Sequence, residues 1–442
     1  MQLNCILFVA YEFPPVNSGG SHRPFKLANA IAKKGWQAIV LTADNNSSPN
    51  SARPDTSLVN GLHPSIKVIR SGLRPENTMD RFLVKGYGFV PDIAWRRWKD
   101  SLLKELPAVI SEHQPAAIYL TCPPFSLYKL AGWLKKEYTS IPLIVDMRDA
   151  WSYWVISPYA SRFHYRQVKR QEYQLLQLAD RVLVTSRQTL TDFLQLHPKL
   201  DAAKFHYLPN GFTDFIDTAN IPKHSGNKIR IGYVGSFYYN PATQEMMEKP
   251  WYKKKPYQWL QYIPRKENWR YRSPLYFFRL LSKFRQAYPE LYSSIELHFA
   301  GKKPAWFDEM AAAYGLADII THHGPVSQQD SIAFQASCDW LLITSAKVIN
   351  GRDYSIAGKT FEYLSLRKPI IALVCEGAQK DLLSASGIAC IIDPDKADEG
   401  LALLKSIVTG AFPVHPDKEF ISGFKMDQLG NKFIMVVKQL TA

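Results

Sequence analysis

Cysteine is scarce in this chain and thinly spread. Cys5, Cys122, Cys338, Cys375 and Cys390 form no C-x-x-C pair and have no histidine at ligand spacing. That argues against a disulfide framework and a zinc site, and fits a reducing cytosol. No apolar stretch approaches the ~20 residues needed to span a bilayer. The opening run, MQLNCILFVAYEFPP, lacks a basic segment, and its apolar part is too short for a secretory leader. Acidic side chains are outnumbered, 39 against 54 lysines and arginines, for a net charge of +15. Such an excess points to an anionic partner: nucleic acid, an acidic membrane surface or a phosphorylated substrate. No motif for reading nucleic acid accompanies it, so the expectation is no nucleic acid. A cytoplasmic protein at the inner face of the membrane is expected, with contact that is at most peripheral.

What the sequence does contain is a regular rhythm. An apolar fraction of 46% and a charged fraction of 21% are those of a globular protein. A length of 442 residues favours two domains of roughly 200 residues each. The runs CILFVAYEF, WQAIVLTA, AAIYLT, PLIVDM, RVLVTS and FHYLP read as buried strands, most of them separated by amphipathic helical patterns. The pattern restarts after the polar stretch 218–228 with IRIGYVGSF, IELHFAGKK, DIITHHGPV, DWLLITS, PIIALVCEG and IACIIDPD. This alternation predicts an α/β chain of two doubly wound, Rossmann-like domains facing across a cleft. The boundaries expected are 1–212, then 228–412 with an irregular insertion at about 238–272. A final helical segment, 413–442, is expected to pack back toward the N-terminal domain.

In open parallel sheets ligands bind beyond the carboxyl ends of the strands, so those loops hold the candidate residues. Ser18-Gly19-Gly20 precedes a helix whose backbone N–H groups suit phosphate, with Arg23 on its first turn. It is not a G-x-G-x-x-G sequence, and no nicotinamide cofactor is inferred. DMRDAW places Asp146, Arg148 and Asp149 at a strand end. They serve either as an internal Arg148–Asp149 ion pair or as a polar floor that orients a polyhydroxylated acceptor. Gly235-Ser236 ends another strand, and Arg272 stands just before a helix start marked by Ser273-Pro274. In GKTFEYLSLRKPIIA, Gly358 opens a helix on which Lys359 meets phosphate and Glu362 accepts a ribose diol. The plainer alternative makes Lys359 and Glu362 a solvated surface pair.

These segments, with LPNGF around Asn210-Gly211 and TCPPFS at 121–126, resemble the GT-B glycosyltransferases, specifically the family-four retaining type. DMRDAW is similar to the D-x-R-D-x-W element of a subgroup found in bacterial polysaccharide assembly. The resemblance implies metal-independent transfer of a sugar, with retention, from a nucleotide-diphosphate donor to a lipid-linked or other membrane-associated glycan. It implies no cofactor and no metal site. By the same resemblance Arg272 neutralises the leaving diphosphate with help from Lys359; these two, with Asp149 of the DMRDAW cluster, are the catalytic candidates. Gly19, Gly20, Gly235, Ser236, Gly358 and Glu362 would contact the donor. Arg23, Arg148, Asp146 and Asn210 would face the acceptor. The chain departs from the family at Tyr354, where many relatives carry a glutamate, and at Cys122-Pro123-Pro124, where a histidine is usual. A sugar-nucleotide epimerase on the same fold, or a non-catalytic binding protein, is the alternative.

The stretch Lys249–Phe278 interleaves tryptophan and tyrosine with many cations and one acid, Glu267. Its prolines argue against a long helix, and its composition suits an anionic membrane surface or a lipid-linked acceptor.

Overall fold

Short runs of buried aliphatic and aromatic side chains, too brief for helices, line up as two parallel sheets. The computed structural model describes residues 4–44, 56–84, 90–153, 158–219, 221 and 226–441. The first sheet comprises β1 (Cys5–Ala10), β2 (Gln37–Ala43), β3 (Lys67–Ser71), β4 (Ala117–Cys122), β5 (Leu143–Met147), β6 (Arg181–Val184) and β7 (Phe205–Tyr207). Their order is β3-β2-β1-β4-β5-β6-β7, parallel throughout. β1, β4 and β5 are buried at every position, as strands covered on both faces must be. β3 was not among the expected strands. It lies at the sheet edge, and Lys67 and Arg70 break its apolar pattern.

The second sheet comprises β8 (Ile229–Val234), β9 (Ile295–Ala300), β10 (Ile320–His322), β11 (Trp340–Thr344), β12 (Ile370–Leu373) and β13 (Ala389–Ile392). They run in the order β10-β9-β8-β11-β12-β13, again parallel. Each sheet reverses its direction of growth once, between β1 and β4 and between β8 and β11. Loops leaving the carboxyl ends of those strands splay apart and leave a crevice.

The chain divides into two units. One holds residues 1–213, 250–264 and 425–442, the other 214–249 and 265–424. Of the polar stretch 218–228, residues 220 and 222–225 lie outside the described residues. The expected insertion at 238–272 is thus divided. Its first part contains a helix, Pro241–Glu248, capped by the Asn240 side chain. Its middle, Pro250–Pro264, belongs with the first unit because the Tyr262 and Tyr159 backbones exchange hydrogen bonds of 2.9 and 3.0 Å. The C-terminal segment is divided as well. Residues 413–424 stay with the second unit, whereas the helix Met426–Thr441 packs on the helix Gly19–Ala32. A Cβ at Gly430 would stand 3.0 Å from that of Ala30, and Phe433 reaches the rings of Phe8 and Tyr119.

One buried ion pair joins several of these elements. Arg23, on the helix Gly19–Ala32, donates through Nε and Nη2 to both oxygens of Asp146 at the end of β5, at 2.7 and 2.8 Å. Its other N–H groups reach the carbonyls of Leu208 and Pro209 and the side chain of Asn210. Tyr119 on β4 donates to Asp146 at 2.5 Å. Desolvation works against the Arg23 charge, but Asp146 outweighs it and holds the guanidinium pKa above its ordinary value.

Asp146→Ala should therefore destabilise the first unit by about 3–5 kcal/mol, because it strands a buried cation. The double variant Arg23→Met, Asp146→Leu should lose much less. Urea denaturation followed by circular dichroism measures both. A single variant within about 1 kcal/mol of wild type would contradict the account.

Candidate functional site

The crevice of the second sheet is built on β8 and on the helix Gly358–Leu366, which follows the loop after β11. Phe361, Leu364 and Leu366 face the core of that unit, which fixes the rotation of the helix. Tyr363, one turn along, docks it: its hydroxyl takes the Val234 N–H and donates to Leu342 O, each at 3.4 Å. This rotation turns Lys359 toward the end of β8. Its Nζ lies 3.6 Å from the centroid of the Tyr233 ring and donates to Val234 O at 2.5 Å. Gly235 has φ +103°, and a Cβ there would come 3.2 Å from that Nζ. A side chain would be both strained and in the way.

Lys359 is thus no member of a solvated pair. Among the described residues no carboxylate comes within ion-pair distance of it, although Glu362 shares its helix. Desolvation pushes the ammonium pKa down to about 7, with Glu362 working against that shift. Ala357, at the helix N-terminus, contributes no side-chain cap, and a Cβ on Gly358 would meet open space. Glu362 is half-buried and accepts from Gln335 Nε2 at 3.1 Å, which orients its carboxylate. Ser236 is exposed, and its carbonyl accepts from the Tyr233 hydroxyl.

Burial raises the Tyr233 phenol pKa, with Tyr238 adding to the rise, and the Arg272 charge opposes it, so Arg272 belongs to the same surroundings. Its Nη2 donates to Ser355 Oγ at 2.9 Å and lies 3.6 Å from Asp353. Asp353 is buried and also receives Ser355 N–H and Oγ–H, with Arg265 at 3.6 Å. Asp353, next to Tyr354, therefore lies between two arginines. Burial of Arg272 opposes its charge, but Asp353 and Glu267 outweigh that and raise its pKa. Ser273 Oγ accepts from Leu275 N–H at the start of the following helix, as the sequence pattern suggested.

In the first unit the DMRDAW and TCPPFS loops hold each other. Trp151 is buried and stacks on Phe125, with centroids 5.3 Å apart and planes 3° off parallel. Arg148 donates to the carbonyls of Pro123 and of Gly19, the latter at 3.2 Å. Asp149, half-buried, follows directly on the loop. Arg23, Asp146 and Asn210 form the network already described, so Asp146 pairs with a distant arginine. Its geometry is that of a positioning group.

The N-terminus of the helix Gly19–Ala32 is closed by its own residues. Ser18 Oγ accepts from the N–H groups of Gly20 and Ser21, and donates to Glu12 Oε2 at 2.5 Å. The Glu12 carboxylate lies where a Cβ on Gly20 would stand, 2.1 Å from it, and Arg148 is on the same side at 3.4 Å. Gly19 is exposed with nothing near its missing Cβ. Sequence reasoning passed over Glu12 and Tyr233. The available signal was position: Glu12 follows β1 and Tyr233 is the penultimate residue of β8, both at reversal points.

Two cavities lie within single units. One of about 250 Å³ in the first unit is lined by Trp95, Arg96, Tyr128, Lys129, Trp151 and His164, among others. The indole Nε1 of Trp151 is buried without a hydrogen-bond partner. The other, about 310 Å³, opens beyond β12 and β13 beside Arg279, Lys283 and Asp395.

Residues 18–211 match the model of the glycosyl transferase 4-like domain. No curated protein sequence matches the chain. Among solved structures, sucrose-phosphate synthase (tll1590) from Thermosynechococcus elongatus is similar with a TM-score of 0.63 at 13% identity, covering 99% of this chain and 98% of that one. The lipopolysaccharide outer core galactosyltransferase WaaB, in its apo form, gives 0.59 at 13%, with 98% and 99% covered. A trehalose-6-phosphate structure from E. coli, bound with UDP-2-fluoro glucose, gives 0.59 at 12%, again with 98% and 99% covered. At such identities the likeness concerns architecture. The chain has the GT-B fold.

The depressed pKa of Lys359 has a thermodynamic signature. The unfolded lysine keeps its proton to about 10.5 and the folded one only to about 7. Between those values the unfolded state binds more protons, so this group's contribution to stability rises with pH. Below pH 7 the folded state carries the full penalty of a desolvated cation. Lys359→Met should remove the slope, and its stability advantage over wild type should shrink from pH 6 to pH 9. Urea titrations at both values measure this. A difference independent of pH would show that Lys359 titrates normally.

Proposed function

We propose that the chain is a glycosyltransferase that moves a sugar from a nucleotide-diphosphate donor, with retention and without a metal, to a lipid-linked or other membrane-associated glycan. The setting proposed is bacterial polysaccharide assembly at the cytoplasmic face of the membrane. The observation that carries the reading is Lys359: a desolvated cation at the reversal point of the second sheet, beside a glycine turn and an uncapped helix start. Among the described residues such a group has no charge partner, and it would gain one when a diphosphate arrives.

In this reading Lys359 and Arg272 neutralise the diphosphate as it leaves, where preorganised charge contributes most. Gly235, Ser236 and Gly358 let the phosphates approach the backbone, and Glu362, oriented by Gln335, accepts the ribose hydroxyls. In the first unit, Gly19, Gly20, Arg148 and Asp149 line the strand ends, with Arg23, Asp146 and Asn210 holding that framework. The match of residues 18–211 and the UDP-sugar bound by one structural neighbour support the reading. The fold by itself does not separate transfer from epimerisation or from binding.

Incubation with a panel of sugar nucleotides separates these. Release of nucleoside diphosphate is expected; an epimerised donor, or binding without turnover, would overturn the proposal.

Glu362→Ala should weaken donor binding by about 2–3 kcal/mol, the loss of two hydrogen bonds to a charged group. Calorimetric titration gives the value, and wild-type affinity would remove Glu362 from the site. Arg272→Ala should lower kcat more than it raises the donor Kd, because the diphosphate gains charge as the glycosidic bond breaks. Its contact with Asp353 makes a thermal denaturation control necessary. An unchanged kcat in a folded variant would restrict Arg272 to anchoring Asp353.

A further inference from the structure

The helix Arg162–Leu178 has two unlike faces. Leu175, Leu176 and Glu172 are buried, and Glu172 is bonded to Ser152 and His197. On the opposite side Arg162, Arg166 and Arg170 are exposed at four-residue spacing, with Phe163 71% exposed among them. Glu172 is the helix's sole acid, so its outer face carries cations and no anion.

The excursion Pro250–Pro264 is attached to the first turn of this helix. Beyond the Tyr262–Tyr159 backbone pair, the Tyr262 ring packs on Tyr165 at 4.9 Å and lies under the Arg162 guanidinium at 5.2 Å. The excursion contains Lys253, Lys254 and Lys255 and no acid. Trp251, Tyr252, Trp259 and Leu260 are 65%, 63%, 50% and 75% exposed. Trp251 and Trp259 meet edge to face at 6.0 Å, and the Trp259 indole donates to Lys254 O at 2.9 Å. The two indoles are thus held in place by specific contacts while remaining exposed.

We propose that the outer face of the helix Arg162–Leu178 and the Pro250–Pro264 excursion together dock the protein on an anionic lipid bilayer. The proposal rests on the reading of a membrane-associated acceptor and names the surface that meets the membrane. Indoles and phenols settle at the depth of lipid headgroups while lysine and arginine pair with anionic lipid there. Single-stranded nucleic acid also suits aromatics among cations. The exposed aliphatic Leu260 offers no ring face to a base, however, and favours hydrocarbon. His164, Val168 and Gln171 of the same helix line the 250 Å³ cavity.

The test is co-sedimentation with vesicles of mixed phosphatidylglycerol and phosphatidylcholine, against phosphatidylcholine alone. Wild type should bind only the mixed vesicles and be released by salt. Lys253→Glu, Lys254→Glu, Lys255→Glu should lower the partition coefficient roughly 100-fold. Trp251→Ala, Trp259→Ala, Leu260→Ala preserves charge and should lower it roughly tenfold or more. Quenching of wild-type tryptophan emission by brominated lipid gives a readout that needs no variant. Failure of wild type to bind, an aromatic variant that binds as wild type does, or poly(U) binding through the same residues in preference to vesicles would each overturn the proposal. Lost vesicle binding with intact sugar-nucleotide turnover implicates this face alone. Absent turnover with intact vesicle binding counts against the transfer reading alone.

Discussion

A cation removed from water must find its compensation within the protein, and the two units meet that demand differently. Arg23 finds all of it: five N–H donors, five hydrogen bonds and a carboxylate that receives two of them. A charge so fully matched has nothing left for a ligand. What it does is hold a helix, the end of β5 and the segment after β7 in one arrangement. Among the described residues Lys359 finds a ring face and a carbonyl but no carboxylate at ion-pair distance, and burial lowers its pKa. An incompletely compensated cation costs stability, and the cost is recovered when an anion binds.

Both arrangements depend on parallel strands. Because every strand points the same way, the loops that follow them gather on one edge, and the reversal of strand order opens a crevice there. Gly235 and Lys359 come from segments more than 120 residues apart, yet they lie in contact at such a point. The loops of the first unit meet in the same way. Trp151 lies flat on Phe125, and Arg148 ties the loop after β5 to those after β1 and β4. The motif residues there serve one another's placement before any ligand is considered.

The docking face follows from a different constraint. Apolar side chains stay exposed on a folded surface only where packing cannot reach them or where another surface is meant to cover them. The excursion's prolines and one-turn helices keep its rings from folding into a core of their own. Its backbone pairing with Tyr159 places the rings beside the helix whose arginines face the same solvent.

The α/β class, the two parallel sheets and most of their strands could be read from the sequence. Buried strands are continuous apolar runs, and their ends are marked by glycine, proline and charge. The edge strand β3 escaped, because its cations resemble a loop, and so did the short antiparallel pair of Glu267–Asn268 with Lys347–Val348. Partners could not be read in this way. That Asp146 takes Arg23, that Asp353 is enclosed by arginines, and that Lys359 lies over Tyr233 depend on side chains far apart in the chain. No periodicity records such meetings. The ownership of Pro250–Pro264 was likewise decided by one backbone pairing, since a composition rich in rings and cations says what a segment can bind but not what it packs against. The sequence by itself determined where charge and glycine stand along each strand end. The tertiary structure alone decided which charges are already compensated and which remain available to a ligand.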